Sequence, residues 1–278
     1  MCDESRILIC VPARYASTRL PAKPLIKICG REMIVRVAEI AAYLCRSNAD
    51  CDYCVATDDL RISDFCASAG LNVVMTSAAC RNGTERCAEV VLGLARRPSL
   101  IINLQGDNPL CPPWILQDLI NEWKRDPSAG VYTPCVSLSW DAYEAMVEAK
   151  KSTPFSGTTV IVDRDNHALA FSKGIIPVVR NVEEARRINQ NKSPIRRHVG
   201  LYAYTYGTLA AYSTLEESPY ESGSLEGLEQ FRFLHNGISI KVVDVDYRGR
   251  ASSSGIDSPA DVDRAERIIS EYGELICD

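Results

Sequence analysis

This sequence has no apolar run approaching the roughly 20 residues that span a membrane, so it predicts no membrane-spanning helix. It has no basic stripe. With a formal net charge of -5 and a pI near 5.4, that argues against nucleic acid as the main partner. It has no internal repeat and no low-complexity tract. Met1-Cys2-Asp3-Glu4-Ser5 is acidic ahead of only five apolar residues, which is not the pattern of a secretory signal. Cysteine is plentiful at 12 residues, yet a second Cys-x-x-Cys to accompany Cys51-Asp52-Tyr53-Cys54 is missing. That single pair runs straight into a strand, which speaks against a zinc centre. Cys10, Cys54, Cys66, Cys87 and Cys135 lie inside apolar segments and read as small core hydrophobes in a reducing compartment.

What is present is an ordinary soluble composition, 46% apolar and 24% charged. A chain of 278 residues can bury a sizeable core, as one large domain or a main domain with an appended lobe. Strands are predicted over 6-12, 52-57, 71-76, 99-104, 130-137, 158-163, 167-172, 198-206 and 238-245. Helices are predicted over 32-45, 59-69, 84-96, 113-125, 140-150, 207-214, 221-236 and 259-272. Their alternation implies an α/β fold with a mainly parallel sheet covered on both faces. Asn82-Gly83-Thr84 supplies a turn and a cap. Ser218-Pro219 opens another helix, although Gly223 and Gly227 weaken it. Ser258-Pro259-Ala260-Asp261 reads as a capping box. A hairpin is expected around Arg164-Asp165-Asn166, and 177-197 reads as a long polar loop.

The chemistry concentrates in Val11-Pro12-Ala13-Arg14-Tyr15-Ala16-Ser17-Thr18-Arg19-Leu20-Pro21-Ala22-Lys23-Pro24-Leu25. This loop follows a buried strand and carries Arg14, Arg19 and Lys23 within ten residues, while Pro21 and Pro24 stop it becoming helix. A rigid cationic loop at the carboxyl end of a first strand is where α/β folds hold phosphorylated ligands. Asn103-Leu104-Gln105-Gly106-Asp107 sets a carboxylate at a second strand end, beside a glycine that lets backbone come close. Gly255-Ile256-Asp257 precedes the last helix. Asp107 and Asp257 are turn or cap residues if taken singly; together they could share a hard divalent cation such as Mg²⁺. Arg197-His198 opens a strand that also contains Tyr202. Glu226, Glu229 and Gln230 fall at helical spacing on one face, an arrangement that a solvated face also explains.

In that order and spacing, the motifs resemble the CMP-Kdo synthetases, the cytidylyltransferases that activate 3-deoxy-manno-octulosonate (Kdo). The likeness runs through Pro12–Leu25, Ala56-Thr57-Asp58, Met75-Thr76-Ser77 and Asn82-Gly83-Thr84-Glu85-Arg86. It continues through Gln105-Gly106-Asp107, Ala170-Phe171-Ser172, Arg197–Tyr202, Leu228-Glu229-Gln230 and Gly255-Ile256-Asp257. The resemblance implies a Rossmann-like single domain with a protruding dimerisation hairpin. It would divide into a nucleotide-binding part (1-137), an acceptor and dimerisation part (138-250) and a C-terminal metal-bearing part (251-278). It implies transfer of CMP from CTP to a sugar acid, Mg²⁺ as cofactor, a homodimer and a cytoplasmic location. Arg14, Arg19 and Lys23 would face the triphosphate, and Asp107 and Asp257 the metal. Ala13, Ser17, Thr18, Thr76, Ser77, Gly83, Arg86 and Gln105 would meet the nucleotide. Gln105, Lys173, His198, Tyr202, Glu226, Glu229 and Gln230 would meet the acceptor.

The chain also departs from that family. Ala22 replaces a common Gly, Asn108 a Glu, and Lys173 an Arg, while Thr153–Thr159 replaces an Asn-rich run before the hairpin. Lysine offers a point charge where arginine offers a two-bond fork. The nucleotide half is retained and the acceptor half altered. A second acceptor class, an amino-sugar analogue or a phosphonate, therefore stays open beside Kdo.

Overall fold

The computed structural model describes residues 6-16, 20-251 and 255-276. The expected site residues Ser17, Thr18 and Arg19 lie outside the described residues. In chain order the first half contains β1 (Ile7–Ala13), β2 (Lys27–Ile28), β3 (Arg31–Glu32), α1 (Met33–Ser47), β4 (Cys51–Thr57) and α2 (Leu60–Ser68). There follow β5 (Val73–Met75), α3 (Gly83–Leu92), β6 (Leu100–Asn103), α4 (Pro113–Arg125), β7 (Val131–Ser137) and α5 (Trp140–Ser152). The remainder contains β8 (Thr158–Val162), β9 (Ala168–Ser172), α6 (Val182–Ile188), β10 (Arg196–His198) and β11 (Tyr202–Thr205). It closes with α7 (Tyr206–Ala211), α8 (Phe231–His235), β12 (Ile240–Asp244) and α9 (Pro259–Tyr272).

These elements form two compact units. The first comprises Met1–Asn121, Leu201–Thr214 and Tyr247–Asp278; the second comprises Glu122–Gly200 and Leu215–Asp246. In the first, β5, β4, β1 and β6 lie side by side and parallel, and β11 adds antiparallel to β6. All seven residues of β1 are buried. That is why Ile7-Leu8-Ile9-Cys10-Val11 reads as an unbroken apolar run and not as an alternation. α1 and α3 pack on β1 and β4, and Ile34, Val37, Ala41, Cys87 and Val91 are fully sequestered. A second cluster joins Leu20, Ile28 and Met33 to Ile256, Ala265 and Ile268, seating the segment that follows the cationic loop against α9. Cys51 and Cys54 take different partners. The Cys51 sulfur lies 2.9 Å from that of Cys45, while the Cys10 thiol, and after it burial, push the Cys54 pKa up.

In the second unit the sheet is mostly antiparallel. β10 pairs antiparallel with β7 and β8, β8 with β9, and β12 runs parallel to β7. The expected hairpin is present as β8 and β9. Its turn is stitched by Asp163 Oδ1, which accepts from the amides of Asp165 (2.9 Å) and His167 (2.8 Å). Leu138, Trp140, Tyr143 and Ile195 form a core cluster that Val182 and Ala185 of α6 join.

Three expectations are corrected. The strand expected over 198-206 is two strands, β10 and β11, separated by Val199-Gly200-Leu201, and they belong to different units. The helix expected over 221-236 exists only as α8. Ahead of it stands one 3₁₀ turn at Pro219–Glu221 and a run of turns in which Gly227 takes φ 62°. Glu226, Glu229 and Gln230 therefore do not share a helix face. The polar stretch 177-197 is not wholly loop, because Asn181 caps α6 by accepting from the Glu184 amide.

Candidate active site

At the carboxyl end of β1 the first unit opens a cavity. It is lined by Pro12, Ala13, Arg14, Ala16, Lys23, Pro24, Met33, Gly83, Gln105, Gly106, Asp107 and Asp257. Seven residues expected there from the sequence thus gather in one place: Ala13, Arg14, Lys23, Gly83, Gln105, Asp107 and, from far along the chain, Asp257. Gly106 makes the gathering possible. A Cβ on it would lie 2.5 Å from the Pro12 carbonyl oxygen, so only glycine lets the β6 loop come this close to β1.

Lys23 sits at the centre. Its ammonium donates to Asp107 Oδ2 at 2.6 Å and to Asp257 Oδ1 at 3.1 Å. Burial alone would lower the Lys23 pKa, but the two carboxylates outweigh it and hold the pKa above its ordinary value, so the group is cationic. Ala22 immediately before it adopts φ 55°, a left-handed conformation that glycine takes up more easily than a residue with a Cβ. Asp257 reaches the site because the capping box expected at Ser258 forms. Asp261 Oδ2 accepts from the Ser258 amide (2.9 Å) and hydroxyl (2.8 Å) and from the Asp257 amide (3.1 Å). The Ile256 amide donates to the Asp107 carbonyl at 2.8 Å, tying the two aspartate loops together.

The pair also suits a hard cation. The carboxylates already converge on one positive centre and offer oxygen donors only. Among the described residues no group of three or more His, Cys, Asp or Glu side chains could hold a metal. Magnesium is commonly held by one or two carboxylates together with substrate phosphates and water, so the donor set fits it.

Beside the cavity, the loop after β5 is held on several sides. The Thr76 amide donates to the Thr57 carbonyl (2.8 Å). Its hydroxyl accepts from Arg86 Nη1. Arg86 is fully buried and its Nη2 lies 3.2 Å from Asp58 Oδ2. Ser77 donates its amide to Glu89, and Arg14 Nη2 donates to the Cys80 carbonyl at 2.6 Å. Asn82 caps α3 by accepting from the Glu85 amide. Gln105 Nε2 donates to the buried Asn103 (3.0 Å). Tyr202 is buried across from Asn103 and stacks on Tyr204.

The second unit holds the other residues expected at the acceptor. Both oxygens of Glu226 are engaged, one by the Ser172 hydroxyl (2.8 Å) and one by the Lys173 amide (2.6 Å). The Lys173 carbonyl accepts from Lys150 Nζ at 2.6 Å, so the Lys173 backbone is fixed on both sides. His198 Nε2 lies 2.8 Å from the Thr133 hydroxyl and its ring meets Phe171 edge-on. Burial first, then the charge of Lys173, push the His198 pKa down to about 3. Gln230 is buried at the start of α8, and Glu229 lies one residue before it. Glu89, Cys80 and Lys150 escaped sequence reading, since each meets partners that only folding brings near. Asp58 was visible as part of a motif, but its role as the Arg86 counter-charge was not.

A parallel α/β sheet whose strand ends present two cations, two carboxylates and closely packed glycines defines a nucleotide-handling class of protein. The comparisons are specific about which one. The model of the cytidylyltransferase family matches residues 8-240, and the chain belongs to that family. It is 43% identical over 270 residues to the 3-deoxy-manno-octulosonate cytidylyltransferase of Maricaulis maris (strain MCS10), covering 97% of this chain and 99% of that one. Identity to the Escherichia coli protein of the same name is 36% over 267 residues, 96% of this chain and 97% of its relative. A solved structure of CMP:2-keto-3-deoxy-manno-octonic acid synthetase complexed with CTP superposes with a TM-score of 0.80 at 34% identity, covering 96% of this chain and all of the other.

Proposed function

We propose that this protein transfers CMP from CTP to Kdo and releases pyrophosphate. The observation that carries the reading is the Lys23–Asp107–Asp257 constellation at the β1 end, found in a chain so close to Kdo cytidylyltransferases over nearly its full length. A hydroxyl oxygen of the acceptor attacks the α-phosphorus of CTP in line and gives up its proton to solvent; the bond from that phosphorus to the bridging oxygen breaks, and pyrophosphate leaves. Lys23 and Arg14 stabilise the charge that builds on the leaving group. Asp107 and Asp257 would hold Mg²⁺, which when bound neutralises phosphate charge and orients the triphosphate. Thr76, Ser77, Gly83 and Arg86 are assigned to the nucleotide. Gln105, Tyr202, Lys173, His198, Glu229 and Gln230 are assigned to the sugar acid. Glu226 serves it indirectly, through the Lys173 backbone. Positioning carries most of the rate, because little covalent work falls to the protein.

The reading extends to a homodimer at work in the cytoplasm. No helix among the described residues is long and apolar enough to cross a membrane. The experiment is pyrophosphate release from CTP and Mg²⁺ across a panel of sugar acids and phosphonates. Release with Kdo at ordinary efficiency is expected. Release with a phosphonate and none with Kdo would overturn the acceptor assignment while leaving the cytidylyl transfer intact.

A further inference from the structure

The loop from Thr76 to Cys80 has an unusual internal economy. Ser77 donates its amide to Glu89 Oε1 at 2.7 Å. The Cys80 thiol donates to the other oxygen, Glu89 Oε2, at 3.0 Å. The Ala79 amide donates to Ser77 Oγ at 3.0 Å and the Cys80 amide to the Ser77 carbonyl at 3.4 Å. One carboxylate, projecting from α3, thus spans the loop and fixes both its ends. Cys80 is buried, and burial followed by the neighbouring Glu89 raises its pKa to about 11, so the thiol stays protonated and remains a donor. Its carbonyl meanwhile accepts from Arg14, which lines the cavity. Glu89 itself does not line that cavity.

We propose that Glu89 is the positioning residue of the base loop and sets the preference for cytosine over uracil. The inference rests on the assignment of Thr76 and Ser77 to the nucleotide. Cytosine and uracil differ at two edge atoms whose donor and acceptor roles are reversed, so discrimination requires partners held in place. A loop free to turn a peptide could satisfy either base. A loop clamped at Ser77 and Cys80 can satisfy only one, because the wrong base leaves groups unpaired. Arg14 extends the clamp to the phosphate loop, so base fit and triphosphate placement are coupled through the Cys80 carbonyl.

The test is steady-state kcat/KM for CTP and UTP at saturating acceptor in wild type, Glu89→Ala, Glu89→Gln and Cys80→Ala. Glu89→Ala should reduce the CTP/UTP ratio by about tenfold or more, mainly through the KM for CTP, with acceptor KM unchanged. Glu89→Gln should keep most of the ratio, because its amide oxygen still accepts from Ser77. Cys80→Ala should lower the ratio by roughly threefold, as befits one weak donor, and it supplies the answer should Glu89→Ala fail to fold. An unchanged ratio in Glu89→Ala and Cys80→Ala, with both nucleotides slowed equally, would overturn the positioning role and leave the base assignment standing. A wild type that uses both nucleotides equally would overturn the base assignment itself, and the inference with it.

Discussion

The two units use charge differently. In the first, charged side chains face one another across a cavity: Lys23 bridges Asp107 and Asp257, and Arg14 lines the same space. In the second, charge is divided between ties to the backbone and buried ion pairs. Glu226 holds Ser172 and Lys173, Lys150 Nζ lies within 3.3 Å of four carbonyls (those of 154, 156, 157 and 173), and buried Arg232 is matched by Glu221. On the proposed function, the site for the triphosphate and metal is built from side chains paired with one another at the cavity wall. The residues proposed to select the acid sit on segments fixed through their backbone. Such a division fits the expectation from the sequence that the nucleotide half is retained and the acceptor half altered, since phosphoryl chemistry tolerates little variation while a rigid frame can carry different probes.

The comparison breaks most sharply at the carboxylates. Asp107→Asn or Asp257→Asn should cut turnover by about 10²-fold or more, as removing a transition-state stabiliser does, with the fold intact by circular dichroism. Normal turnover of both variants at low Mg²⁺ would remove the metal assignment.

A smaller and differently shaped effect is expected in the second unit. Lys173→Ala should raise acceptor KM by roughly tenfold, the scale of one charge-assisted hydrogen bond, and leave the KM for CTP unchanged. Lys173→Arg should hold or improve activity with Kdo, since the planar fork can bind a carboxylate with two bonds. Kinetics with acceptor varied at saturating CTP check both. If neither substitution moves acceptor kinetics, Lys173 merely solvates the end of β9.

The smallest effect concerns pH. The folded His198 has its pKa depressed to about 3, against about 6.5 when unfolded. The unfolded chain therefore binds more protons between those values, so this residue's contribution to stability is fully present above pH 6.5 and is lost as pH falls toward 3. His198→Gln should flatten that part of the stability curve. Urea unfolding at pH 7 and pH 5 should show a smaller loss in the variant than in wild type; equal losses would place the histidine in water.

Much of this was legible in the sequence because it is local. The bounds of α4 and α9, 113-125 and 259-272, follow from proline and cap chemistry read over a few residues. The cationic loop and the two aspartates carry their strand-end context with them. What was not legible depends on distant partners or on backbone conformation. The break at Val199-Gly200-Leu201 interrupts an apolar run that periodicity alone reads as one strand. Gly223 and Gly227 proved enough to dissolve the first part of a helix whose spacing looked regular. Nothing near Glu89 or Lys150 in the sequence signals the Ser77 amide that Glu89 accepts from or the four carbonyls that Lys150 approaches.

On the proposed function, Lys23, held between Asp107 and Asp257, is the cation that receives the triphosphate. The most direct measurement is equilibrium binding of CTP with Mg²⁺, paired with single-turnover pyrophosphate release, in Lys23→Met and Lys173→Ala side by side. Lys23→Met should lose about 10²-fold or more in release, while Lys173→Ala should bind CTP as wild type does. Normal release by Lys23→Met, or weakened CTP binding in Lys173→Ala alone, would contradict it.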